Sequence, residues 1–68
     1  MITISVAKVP GRVSDFYLED ETTVKYALTV AEIKYEKCQV QVNGEDCSLS
    51  DELSDGDTVT VTGKIRGN

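Results

Sequence analysis

The sequence predicts an α+β domain in which one helix lies across one face of a mixed sheet of four to five short strands. Three observations carry that prediction. Apolar residues alternate at a period of two in ITISV (2–6), CQVQV (38–42) and DTVTV (57–61), the pattern of strands with one buried face. Between the first strands and the later ones the period changes once, to that of a helix: Val24, Ala27, Leu28 and Ala31 fall on one stripe. The chain has 68 residues, and a chain this short buries only about 60% of its unfolded surface, which leaves room for one small core and no deep cleft.

In the first run Ile2, Ile4 and Val6 face one way and Thr3 and Ser5 the other. Pro10-Gly11 then punctuates the chain. RVSDFYLED (12–20) resumes the alternation, with Phe16 and Leu18 on one face and Val13 and Tyr17 on the other. The short connection makes it an antiparallel partner of the first strand. The helix is predicted over about residues 23–34. Thr22 or Thr23 caps its first amides, and Asp20 and Glu21 set negative charge beside its positive end. Lys34 and Lys37 suit the opposite end. With no glycine to stop it, the helix is expected to end between residues 33 and 36. Cys38, Val40 and Val42 point inward on the next strand. Asn43-Gly44 is a strong hairpin signal, leading into a short segment from Glu45 to Leu49 with Val42 opposite Glu45, Val40 opposite Cys47 and Cys38 opposite Leu49. Ser50 to Leu53 suits one 3₁₀ turn, and Asp55-Gly56 is another turn. On the last strand Val59 and Val61 face inward, with Thr58, Thr60 and Thr62 outward.

The helix must cover one face of the sheet, because nothing else in the chain can. A right-handed crossover sets the first and last strands side by side and parallel at the centre. This is the ubiquitin-like β-grasp arrangement. It is expected over residues 1–63, with Val24, Ala27, Leu28 and Ala31 packed on Ile2, Ile4, Phe16, Leu18, Val40, Val59 and Val61. Past Thr62 there is little to bury, so residues 64–68 are expected to form a flexible tail.

Composition excludes several function classes. There is no histidine, so Ser–His and Cys–His catalytic pairs are impossible. Two cysteines with carboxylates match zinc-site spacing poorly. Asp46, Asp51, Glu52, Asp55 and Asp57 lack the twelve-residue spacing and closing glutamate of an EF-hand and read as turn formers in a solvated loop. No catalytic residue, metal or cofactor is therefore expected, and no enzyme acting by itself. The net charge of −5 repels phosphate backbones, so no nucleic-acid partner is expected; a basic protein partner or simple solubility accounts for it. Cys38 and Cys47 are diagonal neighbours in the expected hairpin, about 7–8 Å apart, beyond the usual reach of a disulfide, and read as reduced. MITISVAKVP lacks the basic start and long apolar run of a signal peptide, and no apolar stretch approaches the roughly 20 residues of a membrane span. The expectation is a cytoplasmic monomer with no membrane contact.

VQVNGEDCSL (40–49) followed by LSDGDTVTVTGKIRGN (53–68) resembles the C-terminal half of the small sulfur carriers of the ThiS/MoaD type. Val42, Asn43, Gly44 and Glu45 match that family's V-N-G-E turn. Leu53, Asp55, Gly56, Asp57 and Val59 match its L-x-D-G-D-x-V element, and TTVKYAL (22–28) is similar to the Thr-Val that opens its helix. The resemblance implies a β-grasp fold and a tail whose terminal glycine carboxylate receives AMP and then sulfur inside a partner enzyme. Here Gly67 fits the penultimate place, and Asn68 stands where the family has its last glycine.

Two functions follow as expectations. The leading one is a protein–protein binding module that docks through its sheet, with Val13, Tyr17, Thr58, Thr60 and Thr62 as candidate contacts. The alternative is a sulfur carrier or ubiquitin-like modifier of the ThiS/MoaD type, with Gly67 and Asn68 as the carrier C-terminus or with cleavage after Gly67. The carrier would need an E1-like activating enzyme to supply ATP, since the chain has no phosphate-binding glycine loop of its own.

Overall fold

A computed structural model describes residues 1–9, 11–36 and 38–63. The elements run β1 (Ile2–Val9), β2 (Val13–Leu18), α1 (Val24–Val30), β3 (Cys38–Val42), β4 (Glu45–Asp46) and β5 (Thr58–Gly63). They build one five-stranded sheet in the order β2-β1-β5-β3-β4. β1 and β5 are parallel, and the other neighbours are antiparallel. This is the ubiquitin-like β-grasp, with the parallel pair at the centre of the sheet.

The alternation in the sequence becomes the two faces of that sheet. Ile2, Ile4, Val6, Leu18, Val59 and Val61 are buried on one face, where Val24, Ala27 and Leu28 of the helix meet them with no exposed surface. Phe16 and Val40, expected in the core, pack against it from half-buried positions, as does Ala31 at the end of the helical stripe. Leu53 is also buried, at 4% exposure, and closes the core from the connection into β5.

The start of the helix is satisfied from two directions. Thr23 is the N-cap, and its hydroxyl accepts from the Tyr26 amide at 3.2 Å. The Val24 amide donates to the Asp51 carbonyl at 2.9 Å and the Lys25 amide to the Leu49 carbonyl at 3.0 Å. The first amides of a helix have no partner within it; here a strap of chain after β4 supplies the missing acceptors. Leu53 completes the strap by donating to the Thr22 carbonyl at 2.7 Å. This use of residues 47–53 explains why β4 is two residues long rather than extending to Leu49: the carbonyls of Leu49 and Asp51 are needed at the helix. The turn within the strap is closed by the Asp51 amide on the Ser48 carbonyl, earlier than the expected Ser50–Leu53 turn. The register Val42–Glu45 is as the sequence predicts.

The helix is shorter than the predicted 23–34. It ends at Val30 with Ala31 as C-cap, and Glu32 takes φ 60°. The Ile33 amide donates to the Leu28 carbonyl and the Glu32 amide to the Thr29 carbonyl, both at 3.1 Å. That pair of bonds is the Schellman termination, normally built on glycine. The reason lies in Ile33. Nine residues beyond Val24 is about 2.5 turns, so a continued helix would turn Ile33 away from the core. The left-handed residue at 32 brings Ile33 back against the core instead.

Cys38 and Cys47 are free thiols, both half-buried. The Cys47 thiol lies 3.6 Å from the Val40 carbonyl. Burial pushes its pKa above the ordinary thiol value, and the Asp51 and Asp46 carboxylates add to the rise.

Three measurements check these assignments. Leu28→Ala is expected to lower the unfolding free energy by about 2–5 kcal/mol in a denaturant titration. Glu32→Gly is expected to raise it by about 0.5–1 kcal/mol, because glycine relieves the left-handed strain and removes a negative charge from the helix C-terminus. Because the thiolate is the reactive form, Cys47 is expected to react with iodoacetamide at pH 8 more slowly in the folded chain than in the chain unfolded in urea, with two thiols counted in total.

Candidate functional site

The helix covers one face of the sheet and leaves the other open. All five candidate contact residues read from the sequence lie on that open face. Val13, on edge strand β2, is aligned with Ala7, Thr60, Gln41 and Asp46 in one row across all five strands. Thr58 lies in the next row with Ser5 and Asp15, and Thr62 lies on the other side with Val9 and Gln39. Tyr17 sits opposite Thr3 at the far end of β2. Val13 and Tyr17 are 65% and 75% exposed, whereas the threonines are half-buried between their neighbours on the central strand.

The face is polar and internally ordered. The Ser5 hydroxyl donates to Asp15 at 2.7 Å. The side-chain amides of Gln39 and Gln41 donate to Asp46 at 3.4 and 3.2 Å. Its large exposed apolar side chains are Val9, Val13 and Tyr17, with the half-buried Ala7 between Val13 and Thr60.

Of the carboxylates named from the sequence, Asp51 and Asp57 close local turns, Asp55 reaches across to β1, and Asp46 sits on β4 and accepts from Gln39 and Gln41. Asp51 accepts from the Ser48 amide, Asp55 from the Thr3 amide and Asp57 from the Ser54 amide, at 2.8–3.0 Å. Asn43 takes φ 53° and Gly44 φ 85°, the two positive values that a two-residue hairpin turn needs. The Asn43 side chain also ties the turn to β5: its carbonyl accepts from the Thr58 amide, and its amide donates to Asp57, both at 3.0 Å. Thus V-N-G-E and D-G-D, separated in sequence, form one hydrogen-bonded corner at the start of β5.

Charge is divided between the two ends of the sheet. The end where β5 begins holds Glu19, Asp20 and Glu21 after β2, Glu45 and Asp46 on β4, and Asp51, Glu52, Asp55 and Asp57 around the strap, with Lys25 as the described base among them. The opposite end, where β5 finishes at Gly63 beside Cys38, holds Lys8, Arg12 and Lys34 together with Glu32 and Glu36. Gly67 and Asn68, the candidate carrier terminus, and the whole expected tail 64–68 lie outside the described residues.

One feature was missed in the sequence reading. A groove of about 480 Å³ opens beside the β2–α1 connection, lined in part by Met1, Tyr17 and Tyr26 and by Glu19, Asp20 and Glu21. The acidic run between two tyrosines was its only local signal, and that run reads equally well as charge placed at the start of a helix.

This architecture recurs in proteins of known structure. The crystal structure of small archaeal modifier protein 1 of Haloferax volcanii superposes with a TM-score of 0.79 at 15% identity, covering 96% of this chain and 100% of that one. A ubiquitin of Caldiarchaeum subterraneum superposes with a TM-score of 0.68 at 12% identity, covering 98% of each chain. At these identities the likeness is one of fold. No curated protein matches the chain. The ThiS family model, by contrast, matches the sequence over residues 6–62. That span runs from the middle of β1 through the helix, the strap and the Asn43–Asp57 corner to the end of β5, and by this match the chain belongs to the ThiS family.

Proposed function

We propose that this chain is a small ubiquitin-like protein that works by docking on a protein partner through the open face of its sheet, the chemistry being the partner's. The observation that most supports this reading is the face itself. One row, Val13, Ala7, Thr60, Gln41 and Asp46, crosses the sheet from β2 to β4, flanked by the hydroxyl and amide side chains of Ser5, Thr58, Thr62 and Gln39, and no described element covers it. Val13 and Tyr17 offer rigid apolar contact at one edge, and the threonines offer hydrogen bonds at the centre, the mixture of anchors and polar groups typical of protein interfaces.

Membership of the ThiS family favours a second reading, a sulfur carrier or ubiquitin-like modifier activated at its C-terminus by an E1-like enzyme that supplies ATP. The name of the Haloferax protein, a modifier, leans the same way. In this reading Gly67 and Asn68 are the reacting end, or cleavage after Gly67 exposes it. An asparagine adds a side chain at a reacting centre, where a misplacement of about 1 Å costs about 10²-fold in rate.

One experiment separates the two. An activating enzyme from the same source is mixed with the native chain, with Asn68→Gly and with Thr60→Arg, and both binding and pyrophosphate release are measured. Docking through the face predicts that the native chain binds without releasing pyrophosphate and that Thr60→Arg weakens binding by about tenfold or more, or about 1.4 kcal/mol. If Asn68 is the lesion, Asn68→Gly alone releases pyrophosphate. Robust release from the native chain makes the carrier the leading function, and binding unchanged by Thr60→Arg removes the open face from the account.

A further inference from the structure

The β2–α1 connection bends through Glu21 at φ 68°, a left-handed geometry that an L-residue with a side chain adopts at a cost. The bend leaves Glu19, Asp20 and Glu21 exposed along the same groove as Met1, Tyr17 and Tyr26. Those three large side chains are 75%, 75% and 56% exposed. Apolar surface and carboxylates thus line one concavity at the acidic end of the sheet. The Met1 ammonium lies 3.2 Å from Asp20, in a pair exposed on both sides and so weak enough to be displaced.

We propose that this groove is a docking site for a cationic segment of a partner protein, one that presents Lys or Arg side chains. Such a side chain matches the groove in both of its parts. Its aliphatic stem suits the methionine and the tyrosine rings, and its charged head suits the carboxylates and the ring faces. An acidic segment would be repelled, and a purely apolar one would strip water from three carboxylates without compensation. The site is at the opposite end of the sheet from Gly63 and centres on the β2–α1 connection; of the open-face candidate contacts it shares Tyr17 alone, and Tyr26, on the helix, belongs to the groove and not to that face.

The test is an NMR titration of the isotope-labelled chain with the peptide acetyl-Ala-Arg-Ala-Lys-Arg-Ala-amide and with a counterpart in which glutamate replaces each base. The expected result is saturable shifts confined to Met1 and residues 17–26, weakened by added salt and absent with the acidic peptide. Tyr26→Ala is expected to weaken binding about threefold, and Tyr17→Ala with Tyr26→Ala about tenfold, with every carboxylate still in place. Both rings are exposed, so circular dichroism should show the fold intact; Glu19→Gln with Glu21→Gln supplies an independent loss of binding. Thr60→Arg should leave peptide binding unchanged. The proposal is overturned if no binding occurs, if the shifts spread equally over Asp46, Asp51, Asp55 and Asp57, or if removing the tyrosines changes nothing. It is also overturned if the free chain self-associates with shifts at both the groove and Lys8 and Arg12, because the occupant is then a second copy.

Discussion

The parallel pairing of β1 with β5 is the constraint on which the rest of the molecule depends. Parallel neighbours cannot be joined by a tight turn; they require a long crossover. Everything between Val9 and Thr58 is that crossover, and it has to return the chain to the same end of the sheet while covering one face. Val59, opposite Val6, and Val61, opposite Lys8, are wholly buried, so the pairing is also the middle of the core. Each hairpin is then added to an outer edge of this pair, β2 on β1 and β3 on β5.

The helix is too short to be stable by itself. At seven residues it falls well below the roughly 12–15 that an isolated helix needs in water. Its stability comes from burial of Val24, Ala27 and Leu28 and from outside partners for its end groups. The strap from Ser48 to Leu53 provides those partners at the start, and the Schellman turn through Glu32 and Ile33 provides them at the finish. The corner that joins Asn43 to Asp57 and Thr58 ties together the chain before and after the strap. Residues that would read as loop in any local description therefore carry the contacts that hold the helix on the sheet.

The same topology separates the functional surfaces. Because β5 is parallel to β1, it finishes at the end of the sheet that holds Lys8 and Arg12, far from the acidic β2–α1 connection. The open face lies between these two ends. A small protein with only one core can thus offer more than one surface: a polar face, an acidic aromatic groove that shares Tyr17 with it at one end, and the finish of β5 at the other.

Much of this was determined by the sequence alone. Period-two alternation assigned Ile2, Ile4 and Val6 to the core and Val13, Tyr17 and the three threonines to the open face, since adjacent side chains of a strand must point to opposite sides. Asn43-Gly44 and Asp55-Gly56 marked their turns because positive φ is cheap for few other residues. The helical stripe of Val24, Ala27 and Leu28 was equally local. Tertiary structure alone decided where the helix stops, because Ile33 reaches the core only through a left-handed residue that glycine would normally occupy. It also decided the length of β4, because the carbonyls of Leu49 and Asp51 are drawn off to the helix amides. The groove was decided in the same way: Met1, Tyr17 and Tyr26 belong to three different segments, and no local pattern records that folding brings them together.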